Sequence, residues 1–318
     1  MKEGTQMEFT KKFRLMASVS AAIILLGIIV GIFSGGLNIG VDFTGGTLVT
    51  IDMKGDFDMG DVNDALSANG VVGAQAVRTG ASASSQTMVD IRMQTQGDDA
   101  AESVLRMSIL EDIQKTYPDA EMISVDRVDG IASASLVRNA FFSVLIASVL
   151  ILVYIWVRFE LLSGLAAVVA LMHDVAIMLS LTCILRIPIN SPFIAAVLTI
   201  LGYSINNTIV VFDRVREFSK NDVHVDRHRE EIVNKSIRGT LMRSINTSIT
   251  TLLTILMVYI LGVQSIREFS LPIIIGLAAG TYSSIFLAAP MWSKWHVMRY
   301  EKAKKGALAP KTSKKKKS

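Results

Sequence analysis

The sequence predicts a membrane all-α six-helix bundle that carries one small α+β domain between its first two helices. Three observations predict it: six apolar runs of spanning length, a strongly acidic segment confined between the first two, and a strand-and-helix rhythm that only this segment has. Of the 318 residues, 51% are hydrophobic and 19% charged, against roughly 25% charged in soluble chains. The net charge of +4 hides a division, because residues 36–137 hold 16 acidic against 6 basic residues. The two parts are built for different surroundings.

Apolar runs near 14–34, 139–157, 163–184, 193–212, 244–263 and 270–292 each match the roughly 20 helical residues needed to cross about 30 Å of hydrocarbon. The first follows Lys11, Lys12 and Arg14 as a signal peptide would. It exceeds the usual apolar core of about 7–15 residues, and Ser34-Gly35-Gly36 offers no A-x-A site, so it reads as an uncleaved anchor.

Orientation follows from Lys and Arg near the span ends, which stay cytoplasmic. The N-terminus, Arg158, the 213–243 loop (Arg214 and Arg216 through Arg243) and the tail Lys314 to Lys317 carry the bias. Both termini are then cytoplasmic and 36–137 lies outside, with Arg138, Arg186 and Arg267 as single exceptions. The tail reads as a solvated or lipid-surface segment, and no nucleic-acid partner is expected.

Within 36–137, residues 46–53 alternate as a strand, and 58–69 form a helix opened by Asp58 and closed near Asn69-Gly70. Residues 72–78 and 86–94 read as strands around a turn at Gly80-Ala81-Ser82. Residues 98–117 place Ala101, Val104, Leu105, Ile109, Ile113 and Tyr117 on one helical stripe. A last strand covers 121–128. This order is the split βαβ pattern of a ferredoxin-like domain, a fold that argues for docking rather than chemistry. The resulting division is 1–35 for the cytoplasmic N-terminus and first span, 36–137 for the extracytoplasmic domain, 138–293 for the other five spans, and 294–318 for a basic tail.

Nothing here resembles catalysis. Four scattered histidines make no HExxH, Cys183 is single and sits in an apolar run, and no GxxxxGK[ST] loop occurs. An ATPase or metalloenzyme is disfavoured by these absences, and neither a metal site nor a cofactor is expected. The informative residues are polar groups inside spans, since a charge at the bilayer centre costs roughly 2.5–3.5 kcal/mol. His173-Asp174 lies mid-span in the third run. The fourth contains Gly202-Tyr203-Ser204-Ile205-Asn206-Asn207-Thr208, and the fifth opens with Arg243 and places Thr247, Thr250 and Thr254 on one face. Hydrogen bonding between helices accounts for the Thr stripe equally well. A carboxylate and a base on adjacent helices can carry or gate protons.

Four ordered segments, Gly40 to Thr47, His173-Asp174, Gly202 to Glu217 and Arg243 to Ser248, together resemble the SecF family of bacterial protein-export subunits. Gly40-Val41-Asp42-Phe43-Thr44-Gly45-Gly46-Thr47 is similar to its GxDFTGGT signature. The run from Gly202 to Glu217, which includes Asp213 and Arg214, is similar to GYSINDTxVVFDRxRE. Arg243-Ser244-Ile245-Asn246-Thr247-Ser248 is similar to RSxNTS, and His173-Asp174 to the span-three HD. Physically, Gly45-Gly46 permits a φ > 0 turn, which Asp42 can cap or which it can leave to meet a cation. Pro188 and Pro192 stiffen the connection before span four.

The resemblance implies half of an RND-type fold that pairs with SecD beside the SecYEG channel, with SecA and YajC as further partners, preproteins as cargo and the bacterial inner membrane as location. It implies that ion flow powers late steps of export, with Arg243, His173 and Asp174 matching the family's functional positions. Asn207 stands where the family has an acid and cannot take up a proton. Three alternatives stay open: proton transfer through the partner and Asp174, Na⁺ bound by Asn and Thr oxygens, or no conduction at all. A small-molecule or lipid exporter half and a passive preprotein scaffold are the competing functions.

Overall fold

Each apolar run becomes a helix in the computed structural model, which describes residues 8–71, 74–79, 87–93, 99–128, 130–220, 225–262 and 264–308. In chain order the elements are α1 (Phe9–Phe33), α2 (Val41–Thr44), β1 (Gly46–Asp52), α3 (Met59–Ala68), β2 (Gln75–Thr79), β3 (Met88–Met93), α4 (Asp99–Thr116) and β4 (Glu121–Val128). Then follow α5 (Gly130–Arg158), α6 (Leu161–Ile184), α7 (Ser191–Lys220), α8 (Val225–Leu261) and α9 (Gln264–Ser283), which passes through a π-helical turn (Ser284–Ala288) into α10 (Ala289–Leu308). Six helical stretches among the described residues are long and apolar enough to cross a membrane. The expected residues 72–73, the turn 80–82, the ends of the strand 86–94, residue 98 and the lysine tail lie outside the described residues.

Two differences concern helix ends. The expected 213–243 loop is mostly helix, since α7 runs to Lys220 and α8 starts at Val225. Lys, Arg and Glu are good helix formers, so the helices continue beyond the apolar runs that hydropathy marks. The last run likewise continues to Leu308.

Helices α6, α7 and α9 with the π turn form the bundle's centre, while α1, α5 and α8 show most of their apolar side chains outward. Phe193, Ile200, Met178, Ile237 and Leu277 are in its core. Helices α7 and α9 approach so closely that a Cβ on Gly276 would clash with Ile200 Cγ1, and one on Gly280 would meet Ser204 Cβ at 2.9 Å. Small residues of this kind drive helix association in lipid, where apolar burial gives no net gain.

The acidic segment has a core of its own. Its antiparallel sheet has the order β2-β3-β1-β4, with Val49 opposite Ile91 and Val125. Alternation works as expected: Thr47, Val49 and Ile51 are buried beside Val89, Ile91 and Met93, under α3 and α4. Asp58 caps α3 by accepting from Gly60 N at 2.8 Å, and Gly70 at φ 69° follows its end. The α4 stripe needs correction. Val104 is 69% exposed, and Ala101 is exposed too, whereas Glu102 is 1% exposed. Glu102 accepts from Thr47 Oγ1 and lies 3.3 Å from Arg106 and 3.5 Å from Arg127, so a carboxylate held by two ion pairs takes the inward place, its Oε2 without a hydrogen bond among the described residues.

Candidate functional site

Asp174 is 0% exposed in the middle of α6. Its Oδ1 lies 2.9 Å from His173 Nδ1, and its Oδ2 accepts from Ser283 Oγ at 2.9 Å and from Ser204 Oγ. Three helices therefore meet on one carboxylate. Ser204 reaches it because Gly280 lets α7 and α9 touch, and Ser283 stands where the helix widens into the π turn. π turns inside α-helices are frequent at functional sites. The partners are two hydroxyls and an imidazole, with no Lys or Arg in direct contact among the described residues. Such a site can pass a proton, since a protonated carboxyl donates where the carboxylate only accepts.

His173 continues the network outward. Its ring stacks on Tyr282 at 6.1 Å between centroids, and Tyr282 Oη donates to the Met16 carbonyl at 2.6 Å on α1. Its Nε2 is buried without a hydrogen-bond partner in the described residues. His173 also borders a cavity of about 230 Å3 between α1, α6 and α10.

One turn from Ser204, Asn207 is 2% exposed. Its Nδ2, Thr208 Oγ1 and Ser244 Oγ are buried without hydrogen-bond partners among the described residues. Tyr203 Oη lies 3.3 Å from Ser248 Oγ, which lies 2.7 Å from Thr281 Oγ1. That contact sets the register between α7 and α8, and one turn further along these antiparallel helices come Asn207 and Ser244.

The structure does not bring Arg243 to Asp174. Arg243, Asn246, Thr247, Thr250 and Thr254 face outward on α8, and Thr199, Gly202 and Asn206 do so on α7. The expected shared interior is therefore not formed within this chain. The reason is rotational: α8 packs through Ser244, Ser248 and Leu252, which turns the Arg243 stripe away.

The first signature segment joins the two cores. Gly45 (φ 72°) and Gly46 (φ 133°) make the expected turn. Thr47 binds Glu102, Phe43 packs against the bundle and Asp42 caps a different element from the expected one. Asp42 Oδ2 accepts from Ser191 N at 2.8 Å, at the first turn of α7, where Asn190 Oδ1 also accepts from Phe193 N at 3.1 Å. Ile39 pairs with Ile189 alongside. At the opposite end Asp213 pairs with Arg158 at 2.9 Å, and Arg214 pairs with Glu217 at 2.5 Å and stacks on Phe218. Ser283 and Tyr282 escaped the sequence reading. The Gly276-xxx-Gly280 spacing was the available signal, since it marks a close helix approach.

Similarity to known proteins extends along the chain. A family model described as protein export membrane protein SecD/SecF, C-terminal, matches residues 108–298. A protein translocase subunit SecF from Alicyclobacillus acidocaldarius is 36% identical over 296 residues, covering 92% of this chain and 93% of that protein. Another, from Rhodothermus marinus, is 37% identical over 287 residues, 87% of this chain and 90% of its own length. The crystal structure of SecDF, a translocon-associated membrane protein from Thermus thermophilus, has a TM-score of 0.78 at 32% identity, covering 95% of this chain. This chain spans 40% of that longer protein.

Proposed function

The chain belongs to the SecD/SecF family of protein-export membrane proteins, matching SecF subunits over most of its length, and from that premise we propose that it is the SecF half of an ion-gradient-coupled export motor. One observation carries the coupling: Asp174 is fully buried and is held by Ser204, Ser283 and His173. Burying a charge mid-membrane is costly, and two hydroxyls and an imidazole can serve either protonation state. Proton uptake turns the carboxyl into a donor, so Ser204 and Ser283 must rearrange and with them the α7–α9 contact. Movement of α7 reaches the sheet through Asp42, which holds the first turn of α7 three residues before the Gly45-Gly46 turn into β1. A proton crossing the membrane releases about 2.3 kcal/mol per 100 mV, enough to bias such a two-state contact.

The partner for this work is a SecD chain. An outward stripe of Thr199, Asn206, Arg243, Thr247 and Thr250 is ill suited to lipid tails, because polar groups in spans face protein or water. The longer SecDF relative supports a SecD occupant, since this chain matches 37% of it. Arg243 then enters a shared interior only in the pair. SecYEG, SecA and YajC follow as further partners, with preproteins as cargo.

We class 36–137 as ferredoxin-like because its strand order, β4-β1-β3-β2 when reversed, fits that fold. It is placed outside the inner membrane, with the basic ends and both termini cytoplasmic. The coupling ion is H⁺. Na⁺ is the second reading, favoured by the unpartnered Asn207, Thr208 and Ser244 atoms, since an amide can present its oxygen where nitrogen is assigned.

Export into membrane vesicles containing SecD, SecYEG and SecA tests the proposal. Asp174→Asn and Arg243→Ala should abolish the stimulation by a gradient while leaving assembly with SecD intact. Normal stimulation in both removes the coupling. Dissipating the H⁺ gradient and then the Na⁺ gradient assigns the ion, and indifference to both supports a passive scaffold.

A further inference from the structure

At the basic end of the bundle the helix ends leave a cavity of about 490 Å3, within the roughly 300–1,000 Å3 range of ligand pockets. Four cations line it: Arg158, Arg216, Lys220 and Arg229. The carboxylate among them, Glu160, is already answered, accepting from Trp292 Nε1 at 2.8 Å and lying 2.9 Å from His296 Nε2. Asp213 offsets Arg158 at 2.9 Å, which leaves the pocket net positive. Arg216 Nη1 donates to the Arg158 carbonyl at 3.2 Å, and Arg229 stands 5.5 Å over the Trp292 ring, so two of the guanidinium groups are held in place.

Depth decides what such a pocket meets. Phe212 ends the apolar part of α7, and the lining residues from there to Lys220 climb about 12 Å at 1.5 Å per residue, through the level of lipid headgroups. Val157 lines the rim and is 84% exposed, on an α5 that also leaves Trp156 and Tyr154 63% and 53% exposed. An acyl chain can lie on that face while the headgroup occupies the cavity.

We propose that this cavity binds the phosphodiester headgroup of an anionic phospholipid. Arg216 and Lys220 supply the charge. The proposal does not depend on the translocase reading.

The test uses the full chain, purified in detergent, stripped of lipid and titrated with phosphatidylglycerol or phosphatidylcholine under native mass spectrometry. Each cation near an anionic headgroup contributes about fivefold in affinity. The Arg216→Gln/Lys220→Gln double variant should therefore weaken phosphatidylglycerol binding by about 25-fold, and a loss under about fivefold overturns the site. Arg138→Gln, at the other end of α5, should change nothing, and an equal loss there overturns the site as well. Should the double variant fail to fold, the wild-type preference decides, and equal binding of the two lipids sinks the proposal. Inorganic phosphate separates the sources: retention of the lipid in millimolar phosphate is expected, and its displacement by phosphate assigns the pocket to the free anion instead.

Discussion

Glu102 and Asp174, the two most deeply buried carboxylates among the described residues, are answered in opposite ways. In the sheet unit, Glu102 faces Arg106 and Arg127 and accepts from Thr47. These contacts make it a fixed strut between β1, α4 and β4. In the bundle, Asp174 meets two serines and a histidine. None of those partners is permanently charged. One carboxylate is fixed among arginines, whereas the other lies among groups that can each donate or accept a hydrogen bond.

The largest expected effect falls on the strut. Glu102→Ala leaves two arginines facing an emptied site and should cost about 3–5 kcal/mol, the usual penalty for breaking a buried ionic pair. Hydrogen exchange of β1 and β4 in the full chain reads it, and a loss under about 1 kcal/mol would break the contrast. Next comes Gly280→Ala, whose methyl would stand 2.9 Å from Ser204 Cβ. Overpacking of this kind costs about 1–3 kcal/mol and should pull Ser204 from Asp174. Gly202→Ala on the same helix meets nothing within 4 Å and serves as its control in thermal unfolding.

A smaller stability change is expected for Asp174→Asn, under about 1.5 kcal/mol because the amide keeps hydrogen-bonding capacity. Its effect lies in the gradient response. If it unfolded the bundle as Glu102→Ala unfolds the sheet unit, Asp174 would be a second strut.

The smallest is a slope. Burial raises the pKa of Asp90 on β3, against the hydrogen bond from Thr50 Oγ1 at 2.8 Å. A folded-state value above the unfolded one means that the associated stability is complete below the ordinary carboxylate range. It is lost as pH rises through the folded value. Asp90→Asn should flatten that fall in a pH series of sheet-unit unfolding, and an unchanged slope would show that another group causes it.

Legibility differed between these regions for a physical reason. Periodicity correctly placed β1 and its inward Val49 and Ile51, and the Asp58 cap was visible beside its helix. The same rule put Val104 inside and overlooked Glu102, because a polar residue can be buried once partners answer it. Neither Arg106, one helical turn away, nor Arg127, on another strand, was read as its partner. In the bundle, the cost of a mid-span charge singled out His173 and Asp174. Ser283 is one serine among many and gained meaning only when Gly276 and Gly280 brought α9 against α7.

The sequence alone determined the six apolar crossings, the acidic unit between the first two, the glycine turn that joins them and the presence of an ionisable pair at mid-span. These depend on local quantities: length, hydropathy, period and backbone freedom. Tertiary structure alone decided that Asp174 is held by Ser204 and Ser283, that Asp42 caps α7, and that Arg243 turns away from this chain's interior. Those outcomes depend on how helices rotate about their axes and cross, which packing between distant segments sets and no local pattern encodes.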